Sequence, residues 1–177
     1  MNPRIQKKFA KLEEQKERLL SDISKLPAKR LRFRPNPKTW SILEILDHLV
    51  KVEDSIMNMV RQNLPDGNQV SPIDRLGAVM VTSMMKTTIR VKVPAQATMV
   101  LPQDVDGLAE IETRWNLTRT EMSRLLSSLQ NEQLKCGLFR HPVGGWMTMA
   151  QTLGFISAHL KHHVFQINRV SAAGRDA

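Results

Sequence analysis

Apolar positions recur at three- and four-residue steps in four long stretches, and this spacing predicts four amphipathic helices. In the first, Ile5, Phe9, Leu12, Leu19, Ile23 and Leu26 share one face over about residues 3–26, opened by Asn2-Pro3 and closed by Pro27. Lys16 falls inside that stripe, so its stem must fold over the core or the middle of the helix must sit near solvent. The second helix begins at Ser41, where Glu44 three residues on completes a capping box, and runs to about Asn63. Its apolar set is Ile42, Ile45, Leu46, Leu49, Val52, Ile56, Met59 and Val60, with His48 at the edge.

The third helix covers about residues 106–130, with Leu108, Ile111, Trp115, Met122, Leu125, Leu126 and Leu129 in register. A second capping box, Thr148 with Gln151, opens the fourth, which carries Leu153, Ile156, Leu160, Val164, Ile167 and Val170 to about residue 170. Residues 172–177 read as a frayed tail. Between the second and third helices the pattern loosens. Pro65-Asp66-Gly67-Asn68 is turn chemistry, residues 71–88 read as helix, and Val91-Lys92-Val93-Pro94 and Met99-Val100-Leu101-Pro102 read as extended. So long a connection either lets the second and third helices run parallel or lays a lid over one end. The expected fold is an all-α four-helix bundle with a long crossover between helices two and three, in a single domain over residues 1–177.

Composition narrows the class. A chain of 177 residues with 41% apolar and 24% charged positions can bury a core without disulfides. The single cysteine, Cys136, cannot form an internal bridge. No apolar run is long enough to span a bilayer, and the basic N-terminus has no apolar stretch behind it, so a cytoplasmic location is expected and no membrane partner. The formal net charge of +9 fits an anionic ligand, a nucleic acid or simple solubility. Its densest run, Lys29-Arg30-Leu31-Arg32-Phe33-Arg34 with Lys38, reads first as a solvated linker, and nucleic-acid binding is the rival.

Histidines carry the candidate chemistry. His159 and His163 lie four residues apart, one turn above the other and about 40° apart round the helix, so both imidazoles can reach one ion. His162 points about 60° the other way, farther from the apolar face. A third ligand must come from another helix, and His48 is the best placed. Three neutral imidazoles suit a divalent transition ion with positions open to water or substrate. The carboxylates argue against a di-iron site, since the fourth helix has no acid between Thr148 and Arg169. Gly144-Gly145 lacks the Lys-Ser/Thr of a phosphate loop and reads as a turn. Cys136 reads as an incidental small hydrophobe or exposed thiol rather than a nucleophile, since no general base is evidently placed for it.

Three segments taken together, Trp40-Ser41-Ile42-Leu43-Glu44-Ile45-Leu46-Asp47-His48-Leu49, the run from His141 to Thr148, and the run from His159 to Arg169, resemble the DinB/YfiT-like superfamily and its DinB_2 branch. The resemblance implies a four-helix bundle holding a divalent ion, zinc or nickel, on His48, His159 and His163, with Glu44, His162 and Gln166 as candidate groups behind the ligands. It further implies metal-dependent transferases and isomerases that use a low-molecular-weight thiol; with an ion that can activate water as well as thiol, the expected activity is thiol transfer to, or hydrolysis of, a small electrophilic molecule, and a homodimer is left open. The branch's frequent Glu and Arg inside the last-helix pair are here Leu160 and His162. Those changes spare the three histidines.

Overall fold

The four amphipathic stretches become the long helices α1 (Pro3–Ile23), α3 (Ile42–Asn63), α5 (Leu108–Ser128) and α6 (Met149–Ala173) of a computed structural model that describes residues 1–65, 67–87, 99–103 and 107–174. Both expected capping boxes form: Ser41 and Thr148 accept the backbone N–H of Glu44 and Gln151, whose side chains accept in return. Ser71 and Asp74 make a third, opening α4 (Pro72–Met84). Each cap of this kind stabilises its helix by about 0.5–2 kcal/mol.

The basic run is not a linker. After α1 ends at Ile23, residues Ala28–Arg32 form a short helix, α2, with Leu31 buried. Arg30 donates to the Ser171 carbonyl at 2.6 Å, and Arg34 grips Glu44 through two nitrogens, so two of its cations tie helix ends together.

Polar pairs give the helix directions. Along α3 and α5, Asp47 meets Arg114, Glu53 meets Arg119 and Arg61 meets Glu121, so these neighbours run parallel. Along α1 and α5, Lys16 meets Asn116 and Glu13 meets Arg119, so that pair is antiparallel. Helix α6 packs on both α1 and α3. The crossover between α3 and α5 is therefore what makes them parallel, as one of the two expected arrangements required. Met99 and Val100, expected to be extended, instead form a helical turn against α3, while Val91 to Pro94 lie outside the described residues.

A feature the helical pattern did not reveal is an antiparallel hairpin, β1 (Gly137–His141) and β2 (Gly145–Thr148), packed on α3 and α4 just before α6. Gly145, the first residue of β2 after the three-residue turn, sits at φ +68°, a conformation that favours glycine. A Cβ there would lie 2.1 Å from Asp74 Oδ1, the atom that accepts the Trp146 N–H.

The core has two apolar clusters. One gathers the first half of α1, α4, the hairpin and the start of α6; the other gathers the end of α1, α2, the first half of α3 and the end of α6. A charged knot lies between α1, α3 and α5. Arg119 binds Glu53 through Nε and Nη2 at 2.6 and 2.7 Å and Glu13 at 2.9 Å, and the Trp115 indole N–H donates to Glu53. Lys16, buried in the stripe as its position required, ends on Asn116, Glu13 and Glu17.

Candidate metal centre

The histidines sit where the two clusters meet. Helix α3 brings His48 to the α6 interface, and α6 supplies His159 and His163 from adjacent turns; all three are buried. One nitrogen from each lies within 4.8 Å of the others. The His48 ring centroid is 5.3 Å from that of His159 and 4.9 Å from that of His163. Trp40 packs on His48 at 5.0 Å, and Phe155 stacks beside His159 at 5.8 Å, so aromatic rings flank the group on both sides.

The outer nitrogens decide which lone pairs point inward. His48 Nδ1 lies 2.7 Å from the Val100 carbonyl, which can only accept, so Nδ1 carries the hydrogen and Nε2 is bare. His163 Nδ1 is likewise 2.9 Å from Gln166 Oε1, leaving its Nε2 to face His159 Nε2 at 3.1 Å. Two nitrogens bound at about 2.0–2.1 Å to one tetrahedral ion stand roughly 3.3 Å apart. The donor set fits a divalent transition ion.

Burial also keeps the rings neutral, as ligands must be. Desolvation first and then repulsion from His48, opposed by the bond to Gln166 and helped least by His162, holds His163 down to about 3. The same cause, with the neighbouring histidines, holds His159 well below the usual imidazole range. His48 is lowered by burial too, against opposing contributions from the Val100 carbonyl and Asp47.

The candidate outer groups separate. Gln166 bonds a site histidine directly. His162, expected to point away from the interior, is buried, because the Thr87 carbonyl covers its Nδ1 at 3.1 Å. Glu44 does not face the histidines: the Ser41 amide and Arg34 occupy its carboxylate. Two nearby residues had been given no role. Asp47, fully buried beside His48, accepts from Arg114, Lys51 and the Gln103 amide; burial opposes its charge, but those donors prevail and hold the carboxyl below its ordinary range. Helical spacing gave no signal for Asp47, which falls on the side of Lys51 and Asp54 rather than in the apolar stripe and is covered by residues 100–103 and Arg114. His141 accepts the Val143 and Gly144 amides at Nδ1, packs edge-on to Phe155 and is lowered by burial to about 4.

With three imidazoles from α3 and α6 converging on one point, comparison with known proteins places the chain in a family. The family model of the DinB superfamily aligns with residues 11–167. The chain belongs to the DinB superfamily. Within that frame it is 23% identical over 150 residues to YuaE of Bacillus subtilis strain 168, an uncharacterised protein, covering 85% of this chain and 88% of that one. It also resembles the solved structure of YfiT from Bacillus subtilis, reported as a probable metal-dependent hydrolase with an unusual four-helix bundle topology. The TM-score is 0.58 at 18% identity, over 97% of this chain and 88% of that chain, a likeness of fold. In this DinB-superfamily chain Leu160 is buried in the apolar core, and Cys136 packs against Gly67 away from the histidines. Among the described residues no helix is long and apolar enough to cross a membrane.

Proposed function

We propose that this protein is a metal-dependent enzyme in which His48, His159 and His163 hold one divalent ion, zinc or nickel, and which acts on a small electrophilic molecule. The observation that carries the reading is the convergence of three neutral imidazole nitrogens with two outer nitrogens already bonded. The imidazole set, with no carboxylate in the group among the described residues, suits zinc or nickel over calcium or magnesium. Such an ion supplies Lewis-acid chemistry, lowering the pKa of water or a thiol toward neutrality so that either becomes a nucleophile at ordinary pH.

The chain's own residues prepare that chemistry. The Val100 carbonyl and Gln166 hold two rings in the tautomer that leaves a lone pair facing inward. Trp40 and Phe155 flank the histidines and keep bulk water from their faces. No protein nucleophile is needed. The nucleophile is water or a low-molecular-weight thiol, making the enzyme a hydrolase or a thiol transferase; the description of YfiT as a probable metal-dependent hydrolase supports the first.

The test uses protein purified without a histidine tag. Metal analysis is expected to find one transition ion per chain, and almost none in His163→Ala. Hydrolysis or thiol consumption with a panel of activated esters, amides and electrophilic alkenes is expected to stop on chelation and return with zinc or nickel. Equal metal content in the two proteins overturns the site, and turnover indifferent to chelation overturns the activity.

A further inference from the structure

We propose that Asp47 is a positioning residue for His48, acting through the chain segment 99–103 rather than by touching the histidine. The inference rests on His48 being a ligand. The His48 ring can bind an ion through Nε2 only when Nδ1 carries the hydrogen. An imidazole on an apolar helix face has two tautomers of similar energy, and only one leaves Nε2 bare. Trp40 packs against the ring but cannot choose between them. The Val100 carbonyl can, because at 2.7 Å from Nδ1 it accepts a hydrogen and offers none.

That carbonyl belongs to no strand or long helix, so something must hold it in place. Four contacts fasten the segment to successive turns along one side of α3. Met99 Sδ meets Ser55 Oγ, the Val100 carbonyl meets His48, the Leu101 carbonyl accepts from Lys51 at 3.1 Å, and the Gln103 amide donates to Asp47 Oδ2 at 2.9 Å. Lys51 links the last two, since its Nζ also lies 2.9 Å from Asp47 Oδ2. Asp47 is therefore the anchor on which the C-terminal end of the segment is fixed.

Its burial makes the assignment sharper. A fully buried carboxylate is costly unless charged donors surround it. An ion pair between Asp47 and Arg114 alone would join α3 to α5 at an exposed edge just as well. What the buried position adds is reach to the Gln103 amide, a charge-assisted bond to main chain that fixes the segment's path. Asp47 thereby acts one step behind the carbonyl that orients His48.

The test reads the ring directly. Two-bond proton–nitrogen NMR correlation of the metal-free protein reports which nitrogen of His48 carries hydrogen, and zinc affinity is measured by competition with a chelating dye. Wild type is expected to show Nδ1–H alone. In Asp47→Ala the signal is expected to shift to a mixture of tautomers, and zinc binding to weaken about five- to tenfold, below the roughly 10- to 100-fold typical of groups bonded straight to a ligand. Asp47→Asn keeps an oxygen for the Gln103 amide and is expected to restore both readouts. Gln103→Pro, which removes the donor and leaves Asp47 intact, is expected to reproduce Asp47→Ala, and it carries the test should that variant not fold. Arg114→Ala is expected to behave as wild type. An unchanged tautomer and affinity in both Asp47→Ala and Gln103→Pro, or an Arg114→Ala effect as large as theirs, overturns the inference. Failure of the wild type to bind zinc overturns the ligand reading instead, while the tautomer in metal-free protein still judges Asp47.

Discussion

Mild acid should destabilise the metal-free protein through its buried histidines. His163 is held at about 3 and His141 at about 4, and His159 lies well below its ordinary value of 6.5, all chiefly by burial. The unfolded chain takes up protons near 6.5 that the folded chain refuses. The stabilisation is therefore complete above pH 6.5 and drains away as the pH falls from there toward the folded values. Each group with a strongly depressed pKa contributes a slope approaching 1.4 kcal/mol per pH unit, so three of them remove roughly 4 kcal/mol by pH 5.5. Against a typical total of about 5–15 kcal/mol that is a large share. Asp47 is depressed as well, but it gives way only below the ordinary carboxylate value of 3.8 and stays silent in this window. Urea unfolding of chelator-treated protein at pH 7.5, 6.5 and 5.5 measures the effect, with His163→Gln expected to lose about a third of the slope. A midpoint that does not move between pH 7.5 and 5.5, or a variant with the full slope, would refute the reasoning.

Two further outcomes follow from the packing. Glu53→Ala leaves the buried Arg119 guanidinium with Glu13 alone and strands the Trp115 indole N–H; a loss of about 3–5 kcal/mol is expected in urea unfolding, and one below 1 kcal/mol would contradict the charged knot. Gly145→Ala forces a side chain onto a left-handed backbone position at the start of β2 and against Asp74, so about 2–3 kcal/mol and a Tm drop of roughly 5–10 °C are expected, with a changed near-ultraviolet signal from Trp146.

Much of this could be read from the chain because the long helices are amphipathic over some six turns and two open with reciprocal caps at Ser41 and Thr148. Periodicity also phased His159 and His163 together and put His48 on the buried side of its helix. What escaped was shorter or less local. Helix α2 has only five residues, and the strands are held by pairing to each other and to α3. Nothing in a helical repeat specifies that α3 and α5 run parallel; that follows from where the crossover returns. Glu44 was a candidate group behind the ligands, yet its capping role already commits the carboxylate. Spacing round α6 turns His162 away from the centre of the apolar face, but the segment following α4 brings the Thr87 carbonyl over it, and no spacing within α6 foretells a neighbour from another segment.

The measurement that bears most directly on the central claim is X-ray absorption at the metal edge of untagged protein loaded with one equivalent of zinc. Three imidazole scatterers at about 2.0 Å with lighter donors completing the shell are expected, and one imidazole fewer in His48→Ala. A shell made of oxygen alone, or one identical in the variant, would contradict the account.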